Sequence, residues 1–165
     1  MQVLIRFALV AGFLWCWASV AQGETKPGSS LVTIDGKGLA VVAKDAPEIV
    51  KKVVQAANKI VGKPYKYGGG HGPAKDTGYD CSGAVSFVLR ELGHLDYALS
   101  SGGFLTFGEK GEGEHLTVWA RKGHVFLTVG GVRFDTQGQD EEDGPRWTEE
   151  KRSKEKFQAR RLKAS

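Results

Sequence analysis

The sequence has two cysteines, Cys16 and Cys81, among 165 residues, too few to form a disulfide scaffold. Its histidines form no H-E-x-x-H run and no cluster at metal-ligand spacing, which argues against a zinc hydrolase. A formal net charge of +4 is too small to suggest a nucleic-acid partner, although it is compatible with an anionic envelope surface. The sequence contains no internal repeat. Its acidic run, Gln139 to Gly144, reads as a solvated loop rather than a binding feature.

The apolar stretch at the start has a definite layout. Arg6 precedes an apolar run from Phe7 to Val20, and Ala21 and Gly23 follow at an A-x-G spacing. This is the pattern of a secretory signal peptide over residues 1–23, cut after Gly23. A membrane anchor would take roughly 20 apolar residues and a basic stop-transfer patch, and neither is present. Leu14 and Trp15 stand where a lipoprotein would place small residues before Cys16. Cleavage would remove Arg6 and Cys16 and no acid, so the charge falls from +4 to +3 and Cys81 remains as the single thiol. Exported proteins usually pair their thiols. A lone one is either a reactive nucleophile or an inert buried residue.

Residues 24–165 amount to one domain, with no room for a separate targeting module. An N-terminal segment, 24–44, starts with a Lys, Pro, Gly and Ser-rich stretch and continues with a short strand or hairpin over 31–42. The main domain covers 45–165. Asp45, Pro47 and Glu48 predict a capped helix start, Val50, Val53, Val54, Ala57 and Val61 recur at helical spacing, and Gly62-Lys63-Pro64 ends the run. A glycine-rich loop follows from Tyr65 to Asp80. A second helix begins near Ser82, carries Val85, Val88, Leu89 and Leu92 on one side, and stops at Gly93. From His115 the apolar period changes to two. HLTVW, HVFLTV and VRFDT read as strands, with Gly130-Gly131 as a tight turn between the last two and a further strand in KFQARRLK. Helices followed by antiparallel strands predict an α+β fold, with the helices packed on a small antiparallel sheet. Ser100 to Gly103 reads as a loop that could border a cleft. Gly144 to Trp147 reads as a turn whose tryptophan packs against the sheet, with a substrate-wall role as the alternative.

Cys81 lies where the second helix begins. The free amides and dipole of a helix N-terminus favour negative charge, and a thiolate is the reactive form of cysteine. The same amides can stabilise an oxyanion, and small neighbours, Ser82 and Gly83, let a carbonyl approach. Such a nucleophile needs a base within hydrogen-bond reach. His94 follows the far end of the helix, His115 can be simple surface, and His71 lies in the glycine loop. His124 opens an apolar strand at its Gly123 end and is the strongest candidate.

Taken together, YKYGG at Tyr65–Gly69, YDCSGAVSFVL at Tyr79–Leu89 and GHVFLTVGGVRFDT at Gly123–Thr136 resemble the NlpC-type (NlpC and p-sixty) cell-wall cysteine peptidases over roughly Asp45 to Thr136. The resemblance implies a papain-like α+β domain that cuts an amide bond in the stem peptide of peptidoglycan. It matches Cys81 to the nucleophile, His124 to the general base, and Tyr65, Asp80 and Ser82 to the substrate site. The family places a third polar residue on the strand after the base strand. Thr136 is expected there by register and Asp135 by charge, with Gln137 third; a strand-end bulge would be needed to turn Asp135 inward. The loop before Cys81 is longer than the family pattern, with an added GGGHG. The implied protein needs no cofactor, acts as a monomer in the periplasm or cell wall, and is not inserted in the membrane once its signal is cut. The alternatives are an amidase acting on a related wall bond, and a non-catalytic wall-binding protein that keeps the fold.

Overall fold

The change of apolar period from 3.6 to two marks a real division of the molecule. The structure, a computed structural model, describes residues 30–72, 75–136 and 141–163; the signal-like segment and Gln137 lie outside them. The chain is α+β. Helix α1 is Glu48–Asn58 and helix α2 is Cys81–Glu91. Strands β1 (Val32–Ile34) and β2 (Ala40–Val42) form an antiparallel hairpin. Strands β3 (Glu109–Lys110), β4 (Leu116–Arg121), β5 (His124–Val129), β6 (Val132–Asp135), β7 (Arg146–Thr148) and β8 (Gln158–Arg161) form an antiparallel sheet in the order β3-β8-β4-β5-β6-β7. Among the described residues no helix is long and apolar enough to cross a membrane.

Alternation along β4, β5 and β6 gives the sheet two unlike faces. One presents Leu116, Val118, Ala120, Val125, Leu127, Val129, Val132 and Phe134. These join Val50, Val53 and Val54 of α1 and Ala84, Val85, Val88 and Leu89 of α2 in one core. Val32 and Ala40 of the hairpin belong to the same core, so the segment before Asp45 packs with the domain that follows it. The opposite face carries Thr117, Trp119, Arg121, His124, Phe126, Thr128, Arg133 and Asp135. It lies against the irregular segment 149–157, whose Lys154 sits over the Trp119 ring at 3.9 Å.

Two local expectations are corrected. Asp45 does not cap α1: the N-cap is Pro47, with no side-chain hydrogen bond, and the helix begins at Glu48. A residue before proline is biased away from helical geometry, so Ala46 cannot open the helix that Asp45 would have capped. Arg146 to Thr148 is a strand rather than a turn. Its Trp147 packs on Phe134, with ring centroids 5.0 Å apart, and donates Nε1–H to Asn58 Oδ1 at 2.8 Å. Asn58 also exchanges two hydrogen bonds with the Ala40 backbone, tying α1 to the hairpin and to the sheet edge. The tryptophan therefore serves packing.

Candidate active site

The cysteine half of the site is built by a loop tied to a helix start. Asp80 is the N-cap of α2, and its Oδ1 accepts the Gly83 amide at 2.7 Å. The same carboxylate accepts from Ser82 Oγ at 2.9 Å and from the Gly68 amide at 2.9 Å, and His71 Nε2 lies 3.1 Å from it. Asp80 and Ser82 are both buried. Their polar atoms are thus spent on holding the glycine loop to the helix, and they do not line the cleft where a substrate-binding role had been expected. Gly83 has a similar purpose. A Cβ there would collide with the Gly69 carbonyl oxygen, so its smallness admits the loop backbone rather than a substrate carbonyl. The first-turn donors left without a hydrogen bond among the described residues are the amides of Cys81 and Ser82.

Tyr65 is brought to Cys81 by the same loop. Residues Tyr65 and Tyr79 form an isolated parallel bridge: the Tyr79 amide donates to Pro64 O and the Lys66 amide to Tyr79 O. Burial, and then the charge of Cys81, raise the Tyr65 pKa, so its hydroxyl is a donor at neutral pH. Asp76 pins the outer part of the loop. Its carboxyl is held well below the usual range by hydrogen bonds from the Gly70 amide, Lys66 and the Thr77 amide.

The histidine half is set by sheet register. His124 is the first residue of β5, and Arg121 stands opposite it across a two-residue turn. Glycines at φ +54° and +100°, Gly130 and Gly131, close the next hairpin so that Val129 pairs with Val132 and Leu127 with Phe134. One step further puts Asp135 opposite Phe126, on the face that carries His124. Asp135 Oδ1 lies 2.8 Å from His124 Nε2. The expectation that register favours Thr136 is therefore reversed: the count holds without a bulge, but the face of β6 shared with His124 is the odd-numbered one. Thr136 is buried, makes no hydrogen bond to His124, and its Oγ1 has no hydrogen-bond partner among the described residues. It still lines the cleft.

That cleft, of about 230 Å³, is bounded by Tyr65, Cys81, Arg121, Gly123, His124, Thr136 and Arg152. Cys81 is a free, partly exposed thiol. Since Nε2 of His124 is engaged by Asp135, Nδ1 is the ring nitrogen left for the sulfur. Burial alone would lower the His124 pKa. The hydrogen bonds that His124 makes with Asp135 and Cys81, with their charges, outweigh it and raise the value to about 8. The Asp135 side chain is fully buried, and its Oδ2 meets Arg133 Nη1 at 3.2 Å and Arg152 Nε at 3.1 Å. A thiol, an imidazole and a carboxylate in this sequence are able to generate a nucleophile at neutral pH. Of the other histidines, His71 serves the loop, His115 is 3.5 Å from Glu114, and the His94 amide closes the end of α2 on Leu89 O. Ser101 borders the site from behind, with its Oγ accepting the Gly123 amide at 3.1 Å.

Sequence reasoning missed Arg121, Arg133 and Arg152. Arg121 was within reach, because the two-residue turn Lys122-Gly123 makes it the cross-strand neighbour of His124. Arg152 comes from a segment with no periodicity, and no local signal marks it.

No family model matches the chain. A probable endopeptidase of Mycobacterium bovis and one of Mycobacterium tuberculosis are each 33% identical to it over 109 residues, 63% of this chain and 25% of each relative. The peptidoglycan endopeptidase RipB of Mycobacterium tuberculosis is 28% identical, in a match covering 52% of this chain and 46% of RipB. The chain thus spans between a quarter and just under half of the length of these curated relatives.

Proposed function

We propose that the protein is an exported cell-wall hydrolase of the NlpC type, a papain-like cysteine endopeptidase that cuts an amide bond in the peptidoglycan stem peptide. The observation that carries this reading is the His124–Asp135 pair at 2.8 Å, opening on the same cleft as Cys81. The names of the relatives support the substrate, and the signal-like layout of residues 1–23 supports export to the periplasm or wall.

In this mechanism the Cys81 sulfur attacks the scissile carbonyl carbon as its proton passes to His124 Nδ1. The oxyanion that forms is held by the amides of Cys81 and Ser82 and by the Tyr65 hydroxyl. Imidazolium then gives its proton to the leaving amine, the C–N bond breaks, and a thioester remains. Water attacks the thioester while yielding a proton to Nδ1, and the C–S bond breaks to release the acid and restore the thiol. Asp135 keeps Nε2 protonated and stabilises the imidazolium. Two guanidinium groups, Arg121 and Arg152, line the cleft, and no carboxylate does among the described residues; this suits a peptide that carries acidic groups.

The test is digestion of purified peptidoglycan by the protein and by Cys81→Ala, with fragments read by mass spectrometry. New stem-peptide fragments made only by the intact cysteine support the hydrolase, and their masses name the bond. If neither protein cuts and both pellet with the wall, the protein is a binder on a peptidase-like scaffold.

A further inference from the structure

We propose that Arg152 is a positioning residue: by holding Oδ2 of Asp135 it fixes the carboxylate so that Oδ1 meets His124 Nε2 and the other ring nitrogen turns to Cys81. The inference rests on the reading of Cys81 and His124 as a working pair.

The Asp135 side chain has no exposure to solvent, and a buried carboxylate persists only where its charge is compensated. His124 is hydrogen-bonded to one oxygen, and the other makes ion pairs with Arg133 Nη1 and Arg152 Nε without a hydrogen bond among the described residues. The two arginines are not equivalent. Arg133 sits two residues before Asp135 on β6, on the same face, and arrives with the sheet. Arg152 arrives from segment 149–157 and is the one that also reaches the cleft around Cys81. That segment is fastened over the histidine by aromatic contacts. Phe157 meets the His124 ring edge-on at 6.2 Å and Phe126 at 5.1 Å, and the Arg152 guanidinium lies 5.9 Å from the Phe126 centroid. One segment thus restrains both the imidazole and the carboxylate that orients it.

The charged and titratable groups around His124 are Asp135 from β6, Cys81 from α2, Arg121 from β4, Arg152 from segment 149–157 and Tyr65 from the glycine loop, with Arg133 behind Asp135. Loss of Arg152 as a positioning residue loosens the Asp135–His124 hydrogen bond that raises the imidazole pKa and so lowers it, whereas loss of a nearby positive charge alone would raise it.

The experiment follows the His124 ring proton by NMR against pH, assigned with a His124→Gln variant, in the intact protein, Arg152→Gln and Arg152→Lys. Peptide hydrolysis per alkylatable Cys81 is measured alongside. Arg152→Gln is expected to move the His124 titration downward by about half a unit or more, and an upward shift, the sign of lost charge alone, overturns the proposal. The same variant is also expected to lower kcat about tenfold or more. Arg152→Lys, which keeps the charge without the planar fork, is expected to lower both the titration and kcat by less than Arg152→Gln does. A purely structural residue would lower the amount of active protein without moving the titration of what remains. An unshifted titration and an unchanged rate per thiol in Arg152→Gln overturn the proposal. Should that variant fail to fold, an unchanged rate per thiol in Arg152→Lys does so. If the intact protein cuts no wall peptide, the hydrolase reading falls, while the His124 titration still decides the role of Arg152.

Discussion

The two faces of strands β4 to β6 are made by the same residues in alternation and have opposite contents. The face toward the helices is a continuous apolar layer. The other carries a histidine, an aspartate, two arginines and two stacked aromatics, Trp119 and Phe126, at a centroid distance of 6.3 Å. Apolar burial is non-directional and tolerates small shifts, whereas a carboxylate on an imidazole tolerates few. The first face therefore supplies stability and fixes register. The second uses that register to place one proton path.

Substitutions on the two faces should separate these roles. His124→Ala on the charged face is expected to abolish most hydrolysis, by about a thousandfold, while costing less stability than a cavity in the apolar layer; a calorimetric scan beside a rate assay checks both. Leu127→Ala, three residues along the same strand, should do the reverse. It should cost about 2–5 kcal/mol of stability in a denaturant titration and keep the rate per folded molecule. Gly83→Ala breaks the seam where loop and helix meet. Overpacking against the Gly69 backbone should cost about 1–3 kcal/mol and lower the alkylation rate of Cys81.

The smallest expected effect is on pH. The His124 pKa is raised in the folded protein to about 8, above its unfolded value of about 6.5. Its contribution to stability is therefore complete below about pH 6.5 and is lost as pH rises through about 8. The difference, at most about 2 kcal/mol, should appear in unfolding curves at pH 6 and pH 9 and be absent in His124→Gln.

Much of this was readable in the chain itself. Both helices, the hairpin near the start, the three central strands and the last strand follow from periodicity and from glycine and proline punctuation. Cys81 at a helix start and His124 at a strand start could be located because each lies beside a strong local signal. The third position was harder, since it depends on which parity of β6 faces His124. That parity is set by the closure at Gly130-Gly131, and a one-residue difference reverses the answer. Asp80 and Ser82, which the resemblance matched to the substrate site, are buried in the helix cap. Flanking a nucleophile in sequence does not mean facing its cleft, and on a helix start the flanking polar groups go to the cap. The short strands β3 and β7 were invisible, because two or three residues carry no period.

The sheet order has a consequence for how the protein comes into being. Strand β8 lies between β3 and β4, so that side of the sheet stays open until residues 158–161 have been made. Until then β4 offers a bare edge, and the segment that carries Arg152 and Phe157 is tethered only at its β7 end. A nascent chain would hold Cys81 and His124 before it held the clamp that aligns them. Synthesis would thus deliver Cys81 and His124 early and the segment that aligns them late.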